Sequence, residues 1–481
     1  MKHALQRTMP ERQGVASSAI LQFVEALESQ IHEIHSFMLL RHGSVIAEGW
    51  WSPYGHEHPH LLFSVSKSFT STAVGLAISE GHFSIDDFVI NFFPDDTPDD
   101  VSDLLATMRV RHLLSMATGQ AEDTWSYMVD RPDGNWIKGF LNVPVLHTPG
   151  THFLYNTGAT YMLSALVQKT TGMKLVDYLQ PRLFEALGIE NASWQESPQG
   201  ITAGGIGLSL KTEDVARFGL LYLQKGLWGG HQILPADWVK EATDSQISSS
   251  GMQIDWTQGY GYQFWRSRHG AYRGDGVFGQ YCIVMPEQDA VLAITSGIDI
   301  FDMQQPLNLV WDILLPAMST ESLPDDTVAH DRLTKRLSNL AMQVVQGNAK
   351  SRIASQVSGQ IYAVDNNSLN IETMILDFTE SGCTVRINMA SGDETLPCGY
   401  GTWLRADTAL FRQPLLFDRT PTAISGAWTA ENIYTMIIRL YETPFFHTVV
   451  CHFVGDEMIV EIQVNISMES MNPHLLTAHA I

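Results

Sequence analysis

A chain of 481 residues exceeds the usual size of one domain and can bury a large core, so two domains are expected. With 29 lysines and arginines against 52 aspartates and glutamates, the formal net charge is −23, which disfavours nucleic-acid phosphates and anionic membrane surfaces as partners. Hydrophobic residues at 44% and charged residues at 17% describe an ordinary globular chain.

The N-terminal stretch from Met1 to Pro10 lacks the apolar run of a signal peptide, and no later segment is long and apolar enough to span a membrane. A cytoplasmic location is therefore expected. Cys282, Cys383, Cys398 and Cys451 are widely spaced, with no Cys-x-x-Cys pair and no histidine at metal-ligand spacing, and read as buried free thiols.

Residues 18–34 carry one apolar stripe, Ile20, Phe23, Val24, Leu27 and Ile31, at helical spacing. Two apolar runs then flank His42-Gly43, which predicts a β-hairpin over residues 36–51. The cluster His56-Glu57-His58-Pro59-His60 contains metal-ligand residue types. Pro59 breaks any helix that would align them, and the stretch reads as an exposed loop.

That loop leads into Phe63-Ser64-Val65-Ser66-Lys67, where Val65, Phe69, Ala73 and Leu76 predict a buried helix stopped at Glu80-Gly81. Positions i and i+3 share a helix face, so the Ser64 hydroxyl and the Lys67 amine become neighbours. A serine hydroxyl needs a proton acceptor before it attacks, and a lysine can serve when its setting keeps it partly neutral. This is the only Ser-x-x-Lys in the chain, and Lys67 lies among serines and apolar residues rather than in a charged run.

After a surface turn at residues 92–100 and a helical stretch at 110–116, a long loop carries Trp125, Tyr127 and Trp136, as a pocket wall or as cover for the core. Tyr155 precedes a new helical stretch headed by Gly158. A phenol held beside a lysine cation ionises more readily, which makes Tyr155 a candidate proton shuttle. Gly204-Gly205-Ile206-Gly207 forms a glycine-rich turn, with Thr212 expected to cap the helix that follows. It lacks the strand and lysine of a phosphate loop. Gly274-Asp275-Gly276 precedes two hydrophobic strands, 279–285 and 290–295, and its glycines let a substrate approach a strand edge closely.

In order and spacing, Ser64-x-x-Lys67, Tyr155 after Pro149-Gly150-Thr151, and Gly274-Asp275-Gly276 before a hairpin resemble the serine β-lactamase and penicillin-binding protein superfamily, in particular its class C-like branch of esterases, D-amino-acid peptidases and amide hydrolases. The likeness covers roughly residues 15–318 and includes the turn at Gly204–Leu208. It implies an α+β catalytic domain, with an antiparallel sheet flanked by helices and a helical subdomain. It further implies acylation of Ser64, proton transfer shared by Lys67 and Tyr155, and an oxyanion hole from the amides of Ser64 and Val277, which follows Gly276. Two departures stand out. Tyr155-Asn156-Thr157 replaces the usual Tyr-x-Asn, so a hydroxyl takes the place of the amide and leaves Asn156 and Thr157 as the candidates for substrate contact. Gly274-Asp275-Gly276 lacks the cation that drug-binding relatives use for a ligand carboxylate, unless Arg273 substitutes, and the acid argues against β-lactams.

Residues 321–350 read as a linker and a helix, the latter over 329–345, between a catalytic domain at 1–320 and a β-rich domain at 351–481. In the last, short runs at 373–378, 383–388, 434–440, 449–453 and 458–464 predict a small antiparallel barrel or sandwich, similar to modules appended to hydrolases of that branch. The expected activity is a cofactor-independent serine hydrolase acting on a small ester, amide or peptide. The alternatives are a β-lactamase or D-alanyl-D-alanine peptidase-like enzyme and a noncatalytic peptide-binding relative. The intact Ser64, Lys67 and Tyr155 favour an enzyme. Oligomeric state is not encoded in any motif.

Overall fold

The computed structural model describes residues 4–411, 419–468 and 471–481; Met1, Lys2 and His3 of the N-terminal stretch read above lie outside them. The chain forms two compact units. The first takes the chain up to Trp50 together with Pro59–Asn339, and the second takes Trp51–His58 with Leu340–Ile481.

In the first unit, helix α1 (Ser17–Gln30) is shorter than its apolar stripe predicts. Ile31 caps it and His32 turns left-handed at φ +64°, so Ile34 enters the sheet instead of extending the helix. The hairpin forms as expected, with β1 (Ile34–Arg41) and β2 (Ser44–Trp50) joined at His42-Gly43, both left-handed as a tight primed turn requires. With β3 (Trp265–Arg266), β4 (Tyr272–Gly276), β5 (Gln280–Met285) and β6 (Ala290–Ser296), they make an antiparallel sheet in the order β2-β1-β6-β5-β4-β3. N-terminal and C-terminal strands meet at its centre, where Leu39 stands opposite Leu292. Every residue of β1, β5 and β6 is buried, because helices cover both faces.

Helix α2 (Ser66–Ser79) runs through the middle of this unit and packs on α3 (Thr157–Thr171). Its sequence is rich in Ser, Thr, Ala and Gly for a physical reason: it is buried on all sides from Ser66 to Ala77, so neighbouring backbones come close. Two of its hydroxyls are satisfied by those backbones, Ser68 donating to Gln263 O and Thr70 to Gly204 O, both at 2.8 Å. Gly75 has no room for a Cβ against the Trp238 ring. Helix α4 (Thr212–Leu223) lies on the sheet. Lys211 rather than Thr212 stands at its N-cap, because the Thr212 hydroxyl is engaged by Ser36 Oγ at 2.6 Å.

Among the described residues, the second unit is a nine-strand closed ring, antiparallel except at its closing pair, which is parallel, with a further strand along its seam. The strands are β7 (Ile361–Val364), β8 (Ile371–Thr379), β9 (Gly382–Met389), β10 (Glu394–Gly399), β11 (Leu404–Thr408), β12 (Thr420–Ala430), β13 (Ile433–Arg439), β14 (Phe446–Val454), β15 (Glu457–Val464) and β16 (His474–Ala480). They follow the order β10-β9-β8-β7-β16-β15-β14-β13-β12-β11, and Gly399 closes the ring by pairing with Ser425. This is a barrel, not a sandwich, and its interior is filled by Ile, Leu, Met and Val side chains from most of the strands. The helix expected over 329–345 ends at Leu337, because Leu340 and Met342 pair with Ser52 in backbone hydrogen bonds instead. All four cysteines are buried thiols.

Candidate active site

Ser64 sits in the 3-10 turn Phe63–Val65 that feeds into α2 rather than in the α-helix itself. The turn is tight enough to hold Phe63 in the left-handed region at φ +47°, a conformation bulky residues adopt only where the surroundings enforce it. Lys67 lies on the same face, with 1% of its surface exposed. Its Nζ donates to Ser64 Oγ at 2.9 Å and to the Gly205 carbonyl at 2.8 Å. Glycine at 205 is what allows that approach: a Cβ there would stand 3.0 Å from Thr157 Cγ2 and 3.4 Å from Nζ. Burial pushes the Lys67 amine down to about 7, against the opposing pull of the Asp123 and Asp275 carboxylates. At neutral pH a large fraction of it is the free base.

Tyr155 joins this pair. Lys67 Nζ stands 5.0 Å from the centre of its ring, and Tyr155 and Ser64 line the same cleft. Trp265 stacks on the ring at 5.3 Å and Tyr260 meets it edge-on at 6.2 Å. The expectation that Lys67 would ease ionisation of the phenol is corrected here. Burial pushes Tyr155 well above the ordinary tyrosine value, so the phenol keeps its proton. Its neighbours Asn156 and Thr157 serve the scaffold. Asn156 is fully buried as the N-cap of α3, accepting from Gly158 N and the Thr124 hydroxyl and donating to Gln120. Neither residue is among those that line the cleft. The Thr157 amide donates to Asp123, which fixes that carboxylate near Lys67.

The end of β4 supplies the other wall. A Cβ on Gly276 would fall 2.2 Å from the Leu62 carbonyl, and one on Gly274 would fall 3.1 Å from Ser68 Oγ. Both glycines therefore exist to let the strand lie against the Ser64 turn. Asp275 points the other way, as alternation requires, and lines the cleft. Arg273 does not substitute for a carboxylate-binding cation. It is fully buried, with Nε donating to Asp275 Oδ2 at 2.7 Å and Nη1 held by Ser267 Oγ at 2.6 Å. Burial pushes Asp275 up to about 6 against the pull of Arg273, which leaves it largely ionised at neutral pH.

Val277 follows Gly276 on the cleft wall, and Phe278 is left-handed at φ +68°. The rings of Phe63 and Phe278 meet edge-to-face at 5.3 Å, linking the residue before Ser64 to the residue after Val277. Nothing in the motifs marks this pair. Positive φ at a phenylalanine is invisible in one sequence.

The cleft itself, about 340 Å3, is lined by Ser64, Tyr155, Asp275 and Val277 and by residues with no sequence signal: Gly251–Gln253, Trp256, Trp265, Ile300 and Met303. Trp125, Tyr127 and Trp136 do not reach it. Trp136 is buried against Tyr161 and Trp125 and covers the core, whereas Tyr127 is exposed and donates to Glu122. His56 and His58 face Glu57, and His60 bonds His35 at 3.0 Å; among the described residues no group of histidine, cysteine and carboxylate side chains is placed to hold a metal ion.

Residues 23–305 match the family model described as Beta-lactamase, which is more than half of the chain. A 6-aminohexanoate-dimer hydrolase from Paenarthrobacter ureafaciens is 25% identical over 310 residues, spanning 60% of this chain and 79% of its own. Among solved structures, a putative 6-aminohexanoate-dimer hydrolase from Bacillus anthracis superposes with a TM-score of 0.55 at 19% identity, covering 67% of this chain and 89% of its own. The octameric penicillin-binding protein homologue from Pyrococcus abyssi superposes with a TM-score of 0.50 at 15% identity, over 96% of this chain and 99% of its own. That likeness extends the shared fold across both units.

Proposed function

The chain belongs to the beta-lactamase family and is a hydrolase, and on that premise we propose that it cleaves an ester or amide through an acyl-enzyme on Ser64. The observation that carries the reading is the buried Lys67 amine 2.9 Å from Ser64 Oγ, held near neutrality by desolvation. The neutral amine takes the hydroxyl proton as Oγ bonds to the carbonyl carbon, and the carbonyl π pair moves to oxygen. The amides of Ser64 and Val277 receive that oxyanion. Collapse breaks the bond to the leaving group, which takes a proton through the Tyr155 phenol, resupplied from Lys67. Water then attacks the acyl carbon with Lys67 and Tyr155 again moving its proton, and the acid leaves as Ser64 is restored. A protonated phenol suits the donor half of this cycle, and a half-neutral lysine suits the acceptor half. The relative named for hydrolysing the 6-aminohexanoate dimer, whose two units are joined by an amide, supports an amide among the substrates.

The test is intact mass after treatment with a fluorophosphonate, followed by peptide mapping. Labelling at Ser64 that disappears in Lys67→Ala is expected. Labelling at another serine, or none in folded protein, overturns the assignment.

A further inference from the structure

Two segments, Gly251–Trp256 and Ile300–Met303, build the part of the cleft that no motif marks. They are fastened to each other. Gln253 Nε2 donates to the Phe301 carbonyl at 2.6 Å, the Asp255 amide donates to Gln304 Oε1 at 3.1 Å, and Gln304 Nε2 donates back to Asp255 Oδ2 at 2.6 Å. Asp255 is fully buried and is further held by Arg268 and by the Trp311 indole. The wall is thus a built surface resting on a buried carboxylate. What it offers is apolar: Trp256, Ile300 and Met303 inside, Met252 at the lip. Met252 is 78% exposed and Phe301, bonded to the same wall, 68%. One exposed apolar side chain needs no explanation, but two on segments tied together over one cleft mark a surface that something apolar covers.

Resting on the serine hydrolase reading above, we infer that the substrate carries an apolar chain of several carbons, alkyl or aryl, that runs from the bond at Ser64 along Trp256, Ile300 and Met303 and covers Met252 and Phe301. A cleft of this volume lies in the range of about 300–1,000 Å3 common for small-ligand sites, so the chain is held rather than merely passed over.

The experiment measures kcat/KM for p-nitrophenyl esters from acetate to octanoate, for acetate esters of alcohols from ethanol to octanol, and Ki for alkylboronic acids from ethyl to octyl. A rise of about two- to fourfold per added methylene in one ester series, with a parallel fall in Ki, is expected until the chain passes the lip. In Met252→Ser and Phe301→Ser, both changes at exposed positions, the slope flattens at the long end of the series. Flat dependence in both ester series, or slopes that both variants leave intact while circular dichroism stays native, overturns the inference. Inhibition by every boronic acid with one Ki for all lengths ends this inference alone. No inhibition by any of them, together with no fluorophosphonate label on Ser64, ends the hydrolase reading and this inference with it.

Discussion

A lysine amine loses its proton near neutrality only where water is kept from its charged form, and Lys67 meets that condition while still touching the Ser64 hydroxyl. Two carboxylates, Asp123 and Asp275, pull the other way, so the value of about 7 is a balance rather than a simple burial effect. The sign of the pH dependence follows. In the proposed mechanism the neutral amine is the active form, so kcat/KM for a neutral ester is expected to rise as pH rises through about 7 and then level. Asp275→Asn removes one group that stabilises the ammonium and moves this limb to lower pH. A limb at the ordinary lysine value of about 10.4, or an unmoved limb in the variant, contradicts the balance. Tyr155→Phe keeps the ring stacked on Trp265 and removes only the oxygen. We expect kcat to fall by about a hundredfold to ten-thousandfold with KM little changed, and equal activity would leave Lys67 to move both protons.

At the level of elements, the site is the meeting of the Ser64 turn with the end of β4, and glycine makes it possible. Gly276→Ala places a Cβ 2.2 Å from the Leu62 carbonyl, and that atom is backbone with no rotamer to yield. The strand must move off the turn, which is expected to cost about 1–3 kcal/mol of stability and about a hundredfold in kcat, read by thermal unfolding and by ester turnover. Wild-type kinetics in this variant would mean that Ser64 and Val277 do not act together. The pairing of Ser64 with Lys67 was legible because their spacing is local: i and i+3 meet in any helical turn. The hairpin at His42-Gly43 was legible for the same reason. Helix ends were less so, since Ile31 continues the apolar stripe of α1 but its backbone already turns toward β1. The capping role of Asn156 was not legible, because a capping asparagine and a substrate-binding one look identical in a motif. The cleft wall from Met252 to Met303 was not legible at all, because it is defined by hydrogen bonds between segments far apart in the chain.

The same contrast holds for the whole molecule. In the second unit, strands whose burial alternates strictly, such as Gly382–Met389, were readable, whereas Glu394–Gly399 carries Pro397 and Gly399, and Leu404–Thr408 reads as polar. The contribution of Trp51–His58 to that unit has no local signal either, being set by pairing of Ser52 with the chain around Ala341. Charge, by contrast, is summed over the chain and needs no structure. A net charge of −23 surrounds a cleft whose one ionised wall residue is Asp275, with Arg273 turned behind it and fully buried. An anionic substrate is therefore opposed twice, at long range by the field of the protein and at contact by the Asp275 carboxylate. A penicillin brings a carboxylate to this site, and a p-nitrophenyl ester brings none. We expect kcat/KM to favour the neutral ester over penicillin or nitrocefin. The long-range part of that preference has its own signature. Raising salt from about 0.01 M to about 1 M shortens the Debye length from about 30 Å to about 3 Å, so turnover of the anionic substrate should rise with salt while that of the neutral ester stays level. A preference for the β-lactam at any salt concentration would show that a group other than Arg273 receives its carboxylate, and equal salt responses of the two substrates would show that the field does not reach the cleft.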